Sequence, residues 1–269
     1  MGAVNTQFNV RKTQILGELK SPLPDLSPKG GPDVQILPLL ELINAHPELV
    51  STSSCAGRVA VYAEGAHDNE EQRVRVGGKG GGGKWLYVSH DEPGEVTSWN
   101  DLLGQFGVET GKPFTEIAAN KQYVHFKFEP MILHVLCANS DIAFKLLGIA
   151  LACGFRESGF NGSILAVRCS LRIDAPIGYI SCSGESMVSM VDLSYVRELM
   201  KMAKERFLEN KRRTNRFFEG VEKSFEMKIV ETKDERRIRK RAEGLKRQTE
   251  LVKMHETVTD VNAIEGTQT

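Results

Sequence analysis

The densest group of chemically capable side chains in this sequence is "STSSCAGR", residues 51–58. The members that could form a site are Ser53, Ser54, Cys55, Gly57 and Arg58. We predict a strand ending in a tight serine and glycine turn, where backbone N–H groups and one guanidinium would bind a carboxylate or a phosphate. A serine-rich turn without a ligand explains the same composition.

Cys55 could act as a nucleophile only as a thiolate. The sequence shows no general base beside it, which favours a buried, unreactive thiol. A covalent mechanism through Cys55 is a rival hypothesis, and it predicts that Cys55→Ser is inactive. The five cysteines are an odd number without a C-x-x-C pair, so we expect reduced thiols in a cytosolic or nuclear protein and no metal site.

Two histidines stand near predicted strands, His90 at the end of "WLYVSH" and His134 within "ILHV". We expect them on adjoining strands, where an imidazole could transfer a proton or bind a metal ion. For each of them, a hydrogen-bonded role in the core is the alternative.

Basic side chains in three segments could contact an anion. Arg156 and Ser158 follow a predicted helix end in "GFRESG", and Arg168 and Arg172 are four residues apart in "AVRCSLR". If that second segment is a strand, both guanidinium groups share one face, which could bind a phosphate backbone or simply face solvent. Lys233–Arg247 has eight basic and three acidic side chains, a net charge of +5, as in a nucleic-acid-binding segment or a solvated helix.

The glycine-rich run "VGGKGGGGKW", residues 76–85, partly matches a phosphate-binding loop. Trp85 stands where the hydroxyl of a Ser or Thr would bind Mg²⁺, and no helix pattern follows. The flanking segments "QRVRV" and "KWLYVSHD" are rich in strand-forming residues. They predict a hairpin with a flexible glycine connection rather than a nucleotide site.

Hydrophobic spacing predicts the elements that position these groups. We predict an amphipathic helix in "FNVRKTQILGEL", a proline-rich loop, and a helix that ends near Pro47. Ser98 and Asp101 have the spacing of a capping box. The segment "QYVHFKFEPMILHVLCAN" predicts two strands that meet at a corner at Glu129 and Pro130.

Two further helices complete the pattern. The segment "SDIAFKLLGIALACGF" presents an apolar face of Ala143, Leu147, Ala150 and Leu151, and ends at Gly154. From Asp192 to about His255 the chain is predicted to be helical and charged, with an apolar face that fades after Phe218. The residues of that face are Tyr195, Leu199, Met202, Ala203 and Phe207.

Strands joined by hairpins and through helices predict an α+β fold with a mixed, largely antiparallel sheet and packed helices, followed by a long charged C-terminal helix. The chain is 41% hydrophobic and 26% charged, which excludes disorder throughout. It has 35 basic and 35 acidic side chains, so any affinity for nucleic acid must come from local patches. No apolar run reaches the length of about 20 residues that crosses a membrane, and we expect a soluble intracellular protein.

Six segments occur in the same order as in the tRNA wybutosine-synthesizing protein 3 family, which this chain resembles as a plant-like member. They are "STSSCAGR", "KWLYVSH", "FKFEPMILHV", "ALACGFRESG", "LAVRCSLRIDAPIG" and "ENKRRTNRFF". The resemblance covers about Phe8 to Glu219, so we predict a methyltransferase domain at residues 1–219 and a charged tail at residues 220–269. The family fold is not the Rossmann fold, and no G-x-G-x-x-G follows a strand here.

The resemblance implies a cytoplasmic, S-adenosylmethionine-dependent methyltransferase that acts on phenylalanine tRNA. Its target would be N4 of 4-demethylwyosine at position 37 of the anticodon loop. Other enzymes of wybutosine biosynthesis are possible partners, and no membrane is involved. The alternative is a tRNA-binding accessory protein without catalysis.

The resemblance also implies a set of site residues. Expected catalytic residues are His90, His134 and Ser54. Expected cofactor-binding residues are Ser53, Ser54, Cys55, Gly57, Arg58, Arg156 and Ser158. Expected RNA-binding residues are Trp85 and Glu129, together with Arg168 and Arg172 from the basic spacing described above, and Trp85 would stack on the unpaired target base.

Overall fold

A computed structural model describes residues 6–19, 33–65, 83–111, 122–181 and 184–225. Its helices are α1 (Thr6–Leu19), a 3₁₀ helix (Val34–Ile36), α2 (Leu37–Ala45), α3 (Trp99–Leu103), α4 (Ser140–Ala152) and α5 (Leu193–Ser224). Its strands are β1 (Leu49–Ala63), β2 (Lys84–Ser89), β3 (Gly107–Glu109), β4 (Tyr123–Cys137), β5 (Gly159–Asn161), β6 (Ile164–Val167), β7 (Ile173–Ile180) and β8 (Ser186–Ser189).

The eight strands found in the described residues form one mixed sheet. The path of paired strands is β2-β1-β4-β7-β8-β3, with β6 beside β4 and β5 beside β6. The pairing of β3 with β8 is parallel, and the other pairings are antiparallel. The predicted α+β class with a mixed, largely antiparallel sheet is therefore confirmed.

The longest helix, α5, links two hydrophobic clusters of the core. Its second half brings Phe217 and Val221 to the cluster formed with α2, α4 and the first half of β1. Its first half brings Val196 and Ala203 to the cluster formed with the second half of β1, the first half of β4, and α3. Full burial of a large apolar side chain stabilises a fold by about 1.5–3 kcal/mol, so α5 is a main support of the sheet.

The strands β1 and β4 are each continuous over 15 residues. They pair from Leu49 opposite Cys137 to Ala63 opposite Val124. The predicted turn within residues 51–58 and the predicted corner at Glu129 and Pro130 are therefore wrong. The polar run of β1 stays extended because β4 supplies a hydrogen-bonding partner along its whole length.

A change in the alternation of buried residues occurs where the corner was predicted. In β4, Pro130 and Met131 are both buried, so the buried positions change from even to odd residue numbers. Opposite them, Gly57 has a φ of +112°, which a residue with a Cβ rarely adopts. This irregularity lets both halves of the strand pair direct apolar side chains toward α5.

The side chain of Asn210, in α5, binds the backbone at this irregularity. Its Oδ1 accepts from the N–H of Met131 at 2.8 Å, and its Nδ2 donates to the carbonyl of Ala56 at 2.8 Å. Asn210 is only 4% exposed. The helix thus satisfies backbone groups of both strands with a buried amide.

Several local predictions are confirmed. Ser98 and Asp101 form a capping box at the start of α3. α2 ends at Ala45, before Pro47, and α4 ends two residues before Gly154, which has a φ of +95°. The predicted face of α4 is wrong at one position, since Leu151 is 41% exposed.

The predicted long charged helix is confirmed over Leu193–Ser224. It passes through Glu219, the predicted domain end, and its buried Val221 lies beyond that point. Of the predicted apolar face, Tyr195 and Met202 are instead exposed. The rest of the predicted tail, the proline-rich loop and "QRVRV" lie outside the described residues. Within the described residues, no helix is long and apolar enough to cross a membrane.

Candidate active site

A row of polar side chains follows β1 and β4 on the sheet face opposite the main core. His134 lies between the buried residues Leu133 and Val135 along β4, so its side chain points away from them. Directly across the ladder is Ser53, whose Oγ lies 2.8 Å from His134 Nδ1. The pair joins a hydroxyl and an imidazole on two rigid strands.

The environment of His134 favours its neutral form. Burial lowers the pKa of the imidazole, and the positive charge of Arg168 lowers it further. A neutral imidazole held by a hydroxyl at one nitrogen can accept a proton at the other. His134 is therefore a candidate general base.

A second group lies at the end of β2 and includes Asp33, Cys55 and His90. Their ligand atoms all lie within 4.8 Å of one another. Asp33 is 5% exposed, and its Oδ2 accepts the N–H of Ala56 at 2.7 Å. The Nε2 of His90 lies 3.9 Å from the other oxygen of Asp33. These side chains are of the types that bind zinc, although the sequence predicted no metal site.

Asp33 is a site residue that the sequence analysis missed. An Asp directly before an apolar helical run is usually a helix cap. Asp33 does stand at the cap position of the 3₁₀ helix, but its side chain makes no cap hydrogen bond there. The carboxylate turns to β1 instead, and no local pattern in the sequence signals that contact.

Cys55 has the unreactive thiol that the sequence analysis favoured, and it is partly buried. Burial raises the pKa of its thiol, and the nearby carboxylate of Asp33 raises it as well. The thiolate is therefore disfavoured at neutral pH, which argues against the rival hypothesis of a covalent nucleophile. The described cysteines, Cys55, Cys137, Cys153 and Cys169, are all free.

Arg58, Glu129 and Trp85 form a third group farther along the same face. Nε and Nη2 of Arg58 each lie 2.5 Å from Oε2 of Glu129, its cross-strand neighbour. The guanidinium also lies 4.5 Å from the ring centroid of Trp85, and the ring centroids of Trp85 and Tyr62 lie 4.6 Å apart. The group thus provides an aromatic surface and a carboxylate that is half-exposed.

This arrangement changes the predicted role of residues 53–58. Arg58 is 7% exposed and its charge is balanced by Glu129, so it is not the exposed cation of an anion-binding turn. Ser54 lies opposite the buried Leu133, on the face away from Ser53 and His134. Ser53 and Cys55, but not Ser54, belong to the polar row.

The two histidines do not lie on adjoining strands, as was predicted. β1 separates β2 from β4, so His90 and His134 approach β1 from opposite edges. Periodicity identified the strands but not their order, because the order depends on pairings between distant segments.

The predicted basic residues also fall into a different arrangement. Arg168 and Arg172 lie between β6 and β7 and not within a strand, so the same-face argument is wrong. Ser158 Oγ accepts the N–H of Arg168 at 3.0 Å, which ties the loop of Arg156 to this connection. Arg172 lies 3.9 Å from Glu157.

A fourth polar group, also missed, extends the same face along β4. His125 Nδ1 lies 2.8 Å from Asp174 and its Nε2 lies 3.4 Å from Glu64. Lys127 Nζ donates to Asp174 at 2.9 Å. The alternation in "QYVHFKFE" was a usable signal, since it places His125, Lys127 and Glu129 on one face.

Comparison with known proteins identifies the family. The profile of the family described as Methyltransferase TYW3 matches residues 10–223. The tRNA wybutosine-synthesizing protein 3 of Saccharomyces cerevisiae is 39% identical over 93% of this chain and 97% of the yeast protein. The protein of that name from Schizosaccharomyces pombe is 40% identical over 84% of this chain and 91% of its own. Rice tRNA wybutosine-synthesizing protein 2/3/4 is 36% identical over 85% of this chain but only 21% of the rice protein.

Solved structures share the fold. The PH1069 protein from Pyrococcus horikoshii matches with a TM-score of 0.60 and 22% identity, over 81% of this chain and 97% of that protein. The profile and the relatives define the chain as a methyltransferase with a fold other than the Rossmann fold. It belongs to the Methyltransferase TYW3 family, as the ordered segments predicted.

Proposed function

We propose that this methyltransferase transfers a methyl group from S-adenosylmethionine to N4 of 4-demethylwyosine at position 37 of phenylalanine tRNA. The proposal takes its substrate from the names of the relatives and from the family resemblance. The observation that carries it is the contact of 2.8 Å between Ser53 Oγ and His134 Nδ1, an imidazole whose pKa is lowered by burial. We further propose that the reaction takes place in the cytoplasm, beside the other enzymes of the pathway.

The chemistry requires a base but no covalent enzyme intermediate. When bound, S-adenosylmethionine supplies a methyl group on a sulfonium sulfur. The ring nitrogen N4 forms the new N–C bond as the C–S bond breaks, and the nitrogen loses its proton. We assign the acceptance of that proton to His134, whose imidazole is oriented by Ser53 Oγ at 2.8 Å from Nδ1. The inert thiol of Cys55 agrees with a mechanism in which the substrate nitrogen is the nucleophile.

The other groups of the polar row suit the binding of S-adenosylmethionine and of the target nucleobase. Asp33 and Glu129 are carboxylates suited to the positive charges of S-adenosylmethionine or to ribose hydroxyls. Trp85, which is partly exposed beside the buried Tyr62, offers an aromatic edge for a flat ring system. Because the target lies in a single-stranded loop, its removal from the stack costs little free energy.

A transfer assay tests this function. The purified protein is incubated with S-adenosylmethionine and phenylalanine tRNA that carries the unmethylated tricyclic base, and nucleosides are identified by mass spectrometry. We expect one added methyl group on that base alone. Retained tRNA binding without transfer would overturn the proposal and favour the accessory, tRNA-binding function.

A further inference from the structure

A cavity of about 390 Å³ lies where the end of α4 meets α5. Among the described residues, its lining contains no acidic side chain and four arginines, namely Arg156, Arg212, Arg213 and Arg216. Ser170 and the last residues of α4 complete it. Guanidinium groups at this density match the geometry and charge of phosphate oxygens.

Two of the arginines, Arg212 and Arg213, are held in place by hydrogen bonds to neighbouring residues. Glu209 accepts from Arg212 at 2.6 Å and from Arg213 at 2.7 Å, and these hydrogen bonds lower the pKa of its carboxyl to about 2. Arg213 also donates to the carbonyl of Gly154 at 2.9 Å, next to the end of α4. That contact offsets the partial negative charge with which a helix C-terminus would repel an anion.

Two chain segments connect this cavity to the candidate active site. Arg168 lies two residues before Ser170 of the cavity lining, and its N–H donates to Ser158, two residues after Arg156. Two extended residues span at most about 7 Å. Arg168 also follows β6, whose Ala166 is the ladder partner of His134. Positive charge therefore continues from the cavity to the Ser53–His134 pair.

We propose that this arginine cavity binds a phosphodiester of the RNA backbone near the base held at the Ser53–His134 pair. The inference rests on the proposed function for the identity of the ligand as RNA. Arg212 is 56% exposed at its side chain, and Arg216 is exposed as well. Such open guanidinium groups suit a continuous backbone that passes through the cavity, rather than a small molecule enclosed by protein.

The test compares two double variants of α5 that remove equal charge. Arg212→Gln with Arg216→Gln alters the cavity, and Lys201→Gln with Lys204→Gln is the control. Each pair includes one exposed cation bonded to a Glu three residues earlier, Glu209 or Glu198. Affinity for a labelled phenylalanine tRNA transcript is measured by fluorescence anisotropy over a range of salt concentrations, with circular dichroism to verify folding.

We expect the arginine variant to bind about tenfold more weakly, with a log–log salt dependence that is less steep by about 1 to 2, and the lysine variant to match the wild type. Equal losses in both variants, or none in the arginine variant, would overturn the inference. One further result would overturn it. Adenosine monophosphate would raise the Tm of the wild type and of the lysine variant but not of the arginine variant, while the arginine variant kept its full RNA affinity.

The two proposals fail in different ways. RNA binding that depends on Arg212 and Arg216 without methyl transfer by the wild type would refute the proposed function and leave the cavity as an RNA site. Normal methyl transfer by the wild type, with RNA affinity unaffected in the arginine variant, would refute the cavity as an RNA site and leave the function.

Discussion

Ser53 Oγ and His134 Nδ1 lie 2.8 Å apart on cross-strand positions of β1 and β4. Both side chains are fixed by two long strands rather than by a loop, so the orientation of the imidazole is set by the sheet itself. A fixed imidazole suits the general-base role that we propose for His134.

Replacement of His134 tests that role. We expect His134→Gln to lower the single-turnover rate of methyl transfer about 100-fold or more, because general-base catalysis contributes about 10²–10⁴-fold. Ser53→Ala should cause a smaller loss, since the base remains but is less well oriented. Quenched reactions analysed by mass spectrometry give these rates.

His125→Gln is the matched control, because it removes an imidazole from the same strand. That imidazole lies between Glu64 and Asp174. Its rate should stay close to that of the wild type. If His125→Gln were as slow as His134→Gln, the base would not be specifically His134.

The pH profile gives an independent test. Since burial and Arg168 lower the pKa of His134, the acidic limb of kcat/KM should lie below the ordinary value of 6.5. Loss of the positive charge in Arg168→Gln should raise that pKa and move the limb to higher pH. A limb that stays in place in this variant would contradict the assignment of His134 as the titrating base.

Asn210 is expected to matter for stability rather than chemistry. Asn210→Ala leaves the N–H of Met131 and the carbonyl of Ala56 without their buried partner, at a cost of about 1–3 kcal/mol for each group. Urea unfolding measures the loss. Thr214→Val is the control, because the Thr214 hydroxyl donates to a carbonyl of its own helix, and its cost should be below about 1.5 kcal/mol.

Two glycine substitutions should change the free energy of unfolding in opposite directions. Gly57→Ala places a Cβ at a φ of +112° and within 3.1 Å of both Asn210 and a backbone oxygen, so we expect a loss of about 1–3 kcal/mol. Gly148 lies in α4 with open space at its Cβ position, so Gly148→Ala should stabilise by about 0.5–1 kcal/mol. Equal effects in urea unfolding would refute the strain at Gly57.

The capping box of α3 should make stability depend on pH. Hydrogen bonds from the hydroxyl and N–H of Thr97 and the N–H of Ser98 lower the pKa of Asp101 from 3.8 to about 2. The ionised carboxylate therefore stabilises the fold above about pH 4, and this contribution is lost as the pH falls toward 2. Asp101→Asn should have a lower Tm at pH 7 and approach the wild type near pH 2. A Tm difference that is constant with pH would contradict this role.

Local sequence patterns predicted the parts of the fold that depend on neighbouring residues. The capping box at Ser98, the end of α2 before Pro47 and the glycine after α4 each follow from backbone chemistry within a few residues. These local patterns gave wrong predictions where contact with a residue far away in the sequence decides the conformation. The serine-rich run of β1 looks like a turn, but pairing with β4 keeps it extended.

The apolar face of α5 shows the same limit. Spacing alone chose Tyr195 and Met202, which are exposed, and ended the face near Phe218. The buried stripe in fact passes through the polar residue Asn210 and continues to Val221. A buried Asn is invisible to a hydrophobic pattern, because its burial is stabilised by strand backbone groups that are far away in sequence.

The sequence by itself predicted the α+β class, most of the helices and the family, and it singled out Ser53, Cys55, Arg58, His90, Glu129 and His134 as candidate site residues. Tertiary structure alone decided how they are grouped. Ser53 meets His134, Cys55 meets Asp33 and His90, and Arg58 meets Glu129, because the order and register of β2, β1 and β4 bring them together. Order and register are set by packing over the whole core, and no short segment of sequence contains that information.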